Sequence, residues 1–118
     1  MRERDESLLL NIKDDAELLL ELIDGYDFKR FLSDERTKLA VSMLLIKIGE
    51  CVNSLSKELK QENKNVEWRE IISLRNIAVH NYDDLRMDWI WKNVTRDVPE
   101  LLEQVKKILR DGEVEEGE

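Results

Sequence analysis

Turn-forming residues are scarce in this chain, whose 118 residues include four glycines and one proline. Little material is left for hairpins, and with Leu, Ile, Glu and Lys in long blocks the composition points to an all-α fold. The single cysteine, Cys51, rules out an internal disulfide. One thiol and one imidazole, His80, cannot assemble a zinc site of thiolate and imidazole ligands within one chain. No apolar run reaches the roughly 18 residues of a membrane-spanning helix, and Met1-Arg-Glu-Arg-Asp-Glu6 lacks the apolar stretch of a secretory signal. A soluble protein in a reducing cytoplasm, without membrane association, is expected. The length suits one domain, large enough to bury a core and too short for two.

Acids outnumber bases 27 to 19, giving a formal net charge of −8, which argues against broad nonspecific binding to nucleic acid. The excess is unevenly placed. Asp111-Gly-Glu-Val-Glu-Glu-Gly-Glu118 holds five acids and no base, and setting it aside leaves 22 acids against 19 bases, a net −3. Such a tail reads as solvated and disordered. The expected organisation is one helical domain over residues 1–110 and an acidic tail over 111–118. On the domain alone, the charge balance leaves room for a nucleic-acid site.

Apolar residues recur at helical spacing. Leu9, Ile12, Ala16, Leu19 and Ile23 predict a first helix from about residue 4 to Asp24, with Gly25 to end it. Residues Tyr26 to Leu32 read as a connector with a short turn. Ser33, ahead of Asp34 and Glu35, reads as the cap of a second helix running to about Glu62. From Leu39 through Ile48 eight residues in ten are apolar, so this helix must be covered on more than one side, as a central helix or a dimer seam. Trp68, Ile71, Ile72, Leu74, Ala78 and Val79 predict a third helix from about Glu67 to Val79. The stripe from Ile90 to Leu109 predicts a fourth, with Pro99 either kinking it or opening its second half. The sum is a bundle of four to five helices.

The end of the third helix carries the chemistry. Arg75-Asn-Ile-Ala-Val-His80-Asn-Tyr82 places the only histidine five residues after an arginine and two before a tyrosine. An imidazole can take a proton from a ribose hydroxyl near neutral pH, a guanidinium can grip phosphate oxygens, and a phenol can donate a hydrogen bond or be modified. None of these steps requires a metal or cofactor. On an unbroken helix Arg75 and His80 would stand about 140° apart around the axis, too far to clasp one phosphate from one face. Either the helix breaks before His80 and the chain folds back, or two copies meet across a two-fold axis and build the site together. Taken singly, each residue also has a structural reading. Arg75 can form a salt bridge with Glu50, His80 and Asn76 can cap a helix end, and Tyr82 can pack. Asp83 and Asp84 read as a helix cap, Cys51 as a small core residue, and Trp68, Trp89 and Trp91 as core aromatics.

The ordered set changes the weighting. Lys47-Ile-Gly-Glu50, Leu55-Ser-Lys-Glu58, Glu67-Trp-Arg-Glu-Ile71, Arg75-Asn76 and His80-Asn-Tyr82, followed by Trp91 and Asp97-Val-Pro-Glu-Leu101, together resemble the HepT-like branch of the HEPN superfamily. The likeness runs from roughly Asp34 to Leu109. It implies a homodimeric helical bundle acting as a metal-independent endoribonuclease toxin of a type VII-like toxin–antitoxin pair. In that family Arg-x-x-x-x-His-x-Tyr carries function, which assigns Arg75 and His80 to catalysis; beside them Asn76 could orient His80 or hold a phosphate oxygen, and Glu50 could pair with Arg75, as supporting residues. The partner it implies is a minimal nucleotidyltransferase antitoxin that transfers AMP to the motif tyrosine, here Tyr82. RNA would be cut to 2′,3′-cyclic phosphate and 5′-hydroxyl ends. The rival reading is a non-catalytic helical subunit that docks a nucleotidyltransferase and presents Tyr82 or a nucleotide to it.

Overall fold

The computed structural model describes residues 1–80 and 87–116, with the side chains of all of these except His80 and 113–116. Among them every regular element is an α-helix. Four long helices, α1 (Glu3–Leu22), α3 (Glu35–Ser54), α5 (Trp68–His80) and α6 (Met87–Glu116), form the bundle, and two short ones, α2 (Phe28–Ser33) and α4 (Lys57–Glu62), link them. The all-α expectation holds. No helix among the described residues is long and apolar enough to cross a membrane.

Glu3, Asp5 and Glu6 place negative charge in the first turn of α1, where the helix dipole favours it. Leu9, Ile12, Ala16 and Leu19 are fully buried along one stripe. After Leu22 the chain turns on Gly25, whose φ of +77° suits glycine, and Tyr26 N–H closes the turn on Ile23 O at 2.9 Å. The segment expected as a connector is instead α2, too short to show a period in sequence. Asp27 caps it by accepting from Arg30 N–H at 2.8 Å. Phe31 is buried against Trp91 of α6, with ring centroids 4.9 Å apart.

Two further boundaries differ from expectation. The cap of α3 is Asp34 rather than Ser33: its carboxylate accepts from Thr37 N–H at 3.1 Å, while Ser33 donates back to Arg30 O. The helix expected to reach Glu62 stops at Ser54, and the chain turns at Leu55 and Ser56 before α4. A carboxylate from α1 holds this turn. Buried Asp5 accepts from Ser56 N–H at 2.9 Å and from its hydroxyl at 2.6 Å, and Ser56 Oγ in turn accepts from Leu59 N–H. With Lys47 Nζ on Asp15 at 3.1 Å, these contacts show α1 and α3 running in opposite directions.

Trp68, Ile71, Leu74 and Ala78 give α5 its buried face. The Trp68 indole donates to Asn63 O at 3.1 Å, tying the start of α5 to the end of α4. Pro99 lies inside α6, which is one continuous helix. Proline removes one backbone bond there, but Val98 and Leu101 on either side are 1% exposed, so packing holds both halves on the bundle. The helix continues through Glu116 and so takes in residues 111–116 of the segment expected as a disordered tail. Trp68 is buried, and Trp89 and Trp91 pack against the core, in keeping with their structural reading.

Asp34 also accepts from the Tyr26 hydroxyl at 2.7 Å and the Thr37 hydroxyl at 2.8 Å. The Tyr26 bond first, then the two from Thr37, hold its carboxyl down from 3.8 to about 2. A carboxyl depressed on folding adds stability above its unfolded pKa and loses it as pH falls through the folded value. The Tm advantage of wild type over Asp34→Asn is therefore expected to shrink between pH 4 and pH 2. A Tm gap that stays constant across that window would refute this role.

Candidate active site

The site is built where α3 and α5 come together. Arg75 flanks the buried stripe of α5, next to Leu74 and one turn before Ala78. Its aliphatic stem lies directly over Gly49 of α3. A Cβ on Gly49 would stand 2.7 Å from Arg75 Cγ and closer still to Arg75 Cβ, so the approach exists only because residue 49 has no side chain. The stem then leads the guanidinium back to Glu50, the next residue of α3. Arg75 Nε donates to Glu50 Oε1 at 2.9 Å, and Nη2 donates to the same oxygen. On its other side Nη1 donates to Asn76 Oδ1 at 2.6 Å.

This pairing orients more than it stabilises. The Arg75 and Glu50 side chains are 33% and 52% exposed, and an ion pair that open to water contributes at most about 1 kcal/mol. A guanidinium carries five N–H donors. Three are engaged, and two, one on each Nη, have no partner among the described residues. A permanent cation, one-third exposed and with donors to spare among the described residues, suits a pair of phosphate oxygens. The structure thus brings together Arg75, Asn76 and Glu50 of the residues singled out in the sequence.

His80 is the last residue of α5. Its imidazole lies outside the described side chains, and Tyr82, Asp83 and Asp84 lie outside the described residues. The helix is unbroken from Trp68 to His80, which removes the arrangement in which it breaks before His80. Positions 75 and 80 stand about 140° apart around the axis and about 7.5 Å apart along it.

The neighbouring surface is apolar. On α3, Leu39 and Met43 are 54% and 58% exposed, and they continue through half-buried Ile46 to Glu50 on one face; Val79 on α5 is 43% exposed. Cys51 sits apart from this chemistry, since burial pushes its thiol pKa up and disfavours the thiolate. Lys47 pairs with Asp15. Gly49 lies directly against Arg75 and was not among the residues singled out for their side-chain chemistry. The signal was available as a lone glycine within an otherwise strong helical pattern, which marks close packing.

Comparison with known proteins converges on one family. Residues 12–108 match the family described as HepT-like, ribonuclease HepT-like. "Putative RNase TTE0752" of Caldanaerobacter subterraneus subsp. tengcongensis is 34% identical over 86% of this chain and 91% of its own. "Putative RNase MJ1380" of Methanocaldococcus jannaschii is 30% identical over 90% of this chain and 98% of its own. "Probable ribonuclease HepT" of Thermococcus cleftensis is 29% identical over 92% and 98%. No solved structure matches the chain. A family match across most of the bundle, together with an oriented guanidinium at the α3–α5 junction, shows that the chain belongs to the HepT-like ribonucleases of the HEPN superfamily.

Proposed function

We propose that this ribonuclease is a homodimeric, metal-independent endoribonuclease whose site draws Arg75 from one copy and His80 from the other. The observation that carries this reading is the continuity of α5: on one rigid helix the two positions face directions about 140° apart, so a second copy is needed to bring a histidine to each arginine. The exposed apolar strip of Leu39, Met43 and Val79 beside Glu50 and Arg75 supports a two-fold contact at this place, because pairing would remove it from water.

His80 takes the proton from a ribose 2′-hydroxyl, the freed oxygen attacks the adjacent phosphorus, and the P–O5′ bond breaks as the departing 5′-oxygen takes up a proton from water. Arg75, held by Glu50 and Asn76, stabilises the charge that builds on the phosphorane oxygens. The products are a 2′,3′-cyclic phosphate and a 5′-hydroxyl. In the cell the enzyme acts in the cytoplasm as the toxin of a toxin–antitoxin pair. A minimal nucleotidyltransferase partner silences it by attaching AMP to Tyr82, which adds bulk and negative charge where RNA phosphate approaches.

Purified, unmodified protein in EDTA is expected to cut RNA and leave cyclic phosphate. Arg75→Ala should lower the rate about 10²- to 10³-fold and His80→Ala about 10²- to 10⁴-fold. No cleavage of diverse RNAs by folded protein of unmodified mass would overturn the nuclease mechanism and favour the subunit that only docks a nucleotidyltransferase. The two-copy geometry has its own test. Mixed Arg75→Ala and His80→Ala chains, exchanged at random, should regain about a quarter of wild-type activity, since half the dimers are mixed and each holds one intact site. Mixed dimers shown to form but inactive would refute the shared site.

A further inference from the structure

We infer that Gly49 is a positioning residue for RNA cleavage: because it has no side chain, the stem of Arg75 can lie across α3, which presents the guanidinium to substrate. This inference rests on the reading of Arg75 as the group that stabilises the reacting phosphate.

The three described glycines differ in what a side chain would meet. At Gly25 a Cβ would meet nothing within 4 Å, and the residue serves a turn. At Gly112 it would meet the terminal methyl of Met1, the far end of a flexible side chain that can swing aside. At Gly49 it would meet Arg75 Cβ and Cγ, with Arg75 Cα at 3.5 Å, all close to the α5 backbone. Cβ cannot move without moving the helix, so an added methyl must push α5 off α3 or twist Arg75 away from Glu50. Glycine is also one of the poorest residues for a helix interior. Its place in the middle of α3 runs against local preference and is explained by the contact it permits.

Gly49 and Glu50 together form one seat. Gly49 fixes the stem and Glu50 fixes the Nε edge, leaving one N–H on each Nη free among the described residues. With the stem unseated from Gly49, the guanidinium would be displaced even with Glu50 in place, and a displacement of about 1 Å can cost roughly 10²-fold in rate.

The test is a double-mutant cycle of Gly49→Ala and Arg75→Gly, the latter removing both atoms that the new methyl would meet, on a random-sequence RNA pool, with kcat, KM and Tm recorded for each protein. Gly49→Ala is expected to lower kcat tenfold to a hundredfold per folded molecule with KM little changed, and to cause no further loss in the Arg75→Gly background. Equal fold-losses in both backgrounds, or wild-type kcat from folded Gly49→Ala, overturn the inference. The Arg75 reading fails separately, if Arg75→Ala alone cleaves like wild type. Should Gly49→Ala not fold, NMR order of the Arg75 Nε–H in Glu50→Ala decides. Retained order shows the stem held by Gly49, whereas mobility equal to that of exposed Arg96 refutes it.

Discussion

The closeness of α3 and α5 at Gly49 and Arg75 is the constraint around which the candidate site of this bundle is arranged. At that crossing the two backbones are separated by little more than the stem of one arginine. The contact is apolar and steric, yet its product is electrostatic, since a cation is delivered to the surface with its direction fixed. Buried Ile71, Leu74 and Ala78 on α5, with Leu45, Ile48 and Val52 on α3, hold the two helices together around it. Close packing in the interior is therefore converted into orientation at the rim.

Carboxylates with several donors organise the ends of the long helices. Asp34 gathers Tyr26, the Thr37 hydroxyl and the Thr37 N–H at the start of α3. Asp5 gathers both donors of Ser56 where α3 gives way to α4. Each satisfies groups that a helix end leaves open. Glu50 does for Arg75 what these residues do for backbone, but on a partly exposed surface, where the gain is direction more than free energy.

What the sequence made legible follows from where the information lies. The long helices showed themselves because burial on one side repeats at 3.6 residues, and Leu9, Ile12, Ala16 and Leu19 carry that period without interruption. The stop at Ser54 did not show itself, because the residue that stabilises the turn, Asp5, is 51 positions away. Asp34 and Ser33 are both competent caps, and the choice was made by Tyr26 and Thr37. Pro99 was ambiguous locally and was settled by the burial of Val98 and Leu101. At the site, Arg75 and Glu50 were readable as opposite charges near the same apolar core. A lone glycine in the helical pattern signalled close packing at Gly49, but not that Arg75 is what lies against it, because the partner comes from α5, 26 positions further on.

The unbroken run of α5 from Trp68 to His80 bears on dosage. A helix is a stiff rod, and no thermal motion of side chains closes an angle of about 140° around it. On the two-copy reading, a solitary chain carries both reacting groups and still cannot use them together. At concentrations below the dimer dissociation constant, the number of working sites would grow with the square of the amount of protein. A cell that makes a few stray copies would meet almost no nuclease, and one that makes many would meet it abruptly, with the threshold set by the strength of an apolar contact and not by the chemistry of the cut.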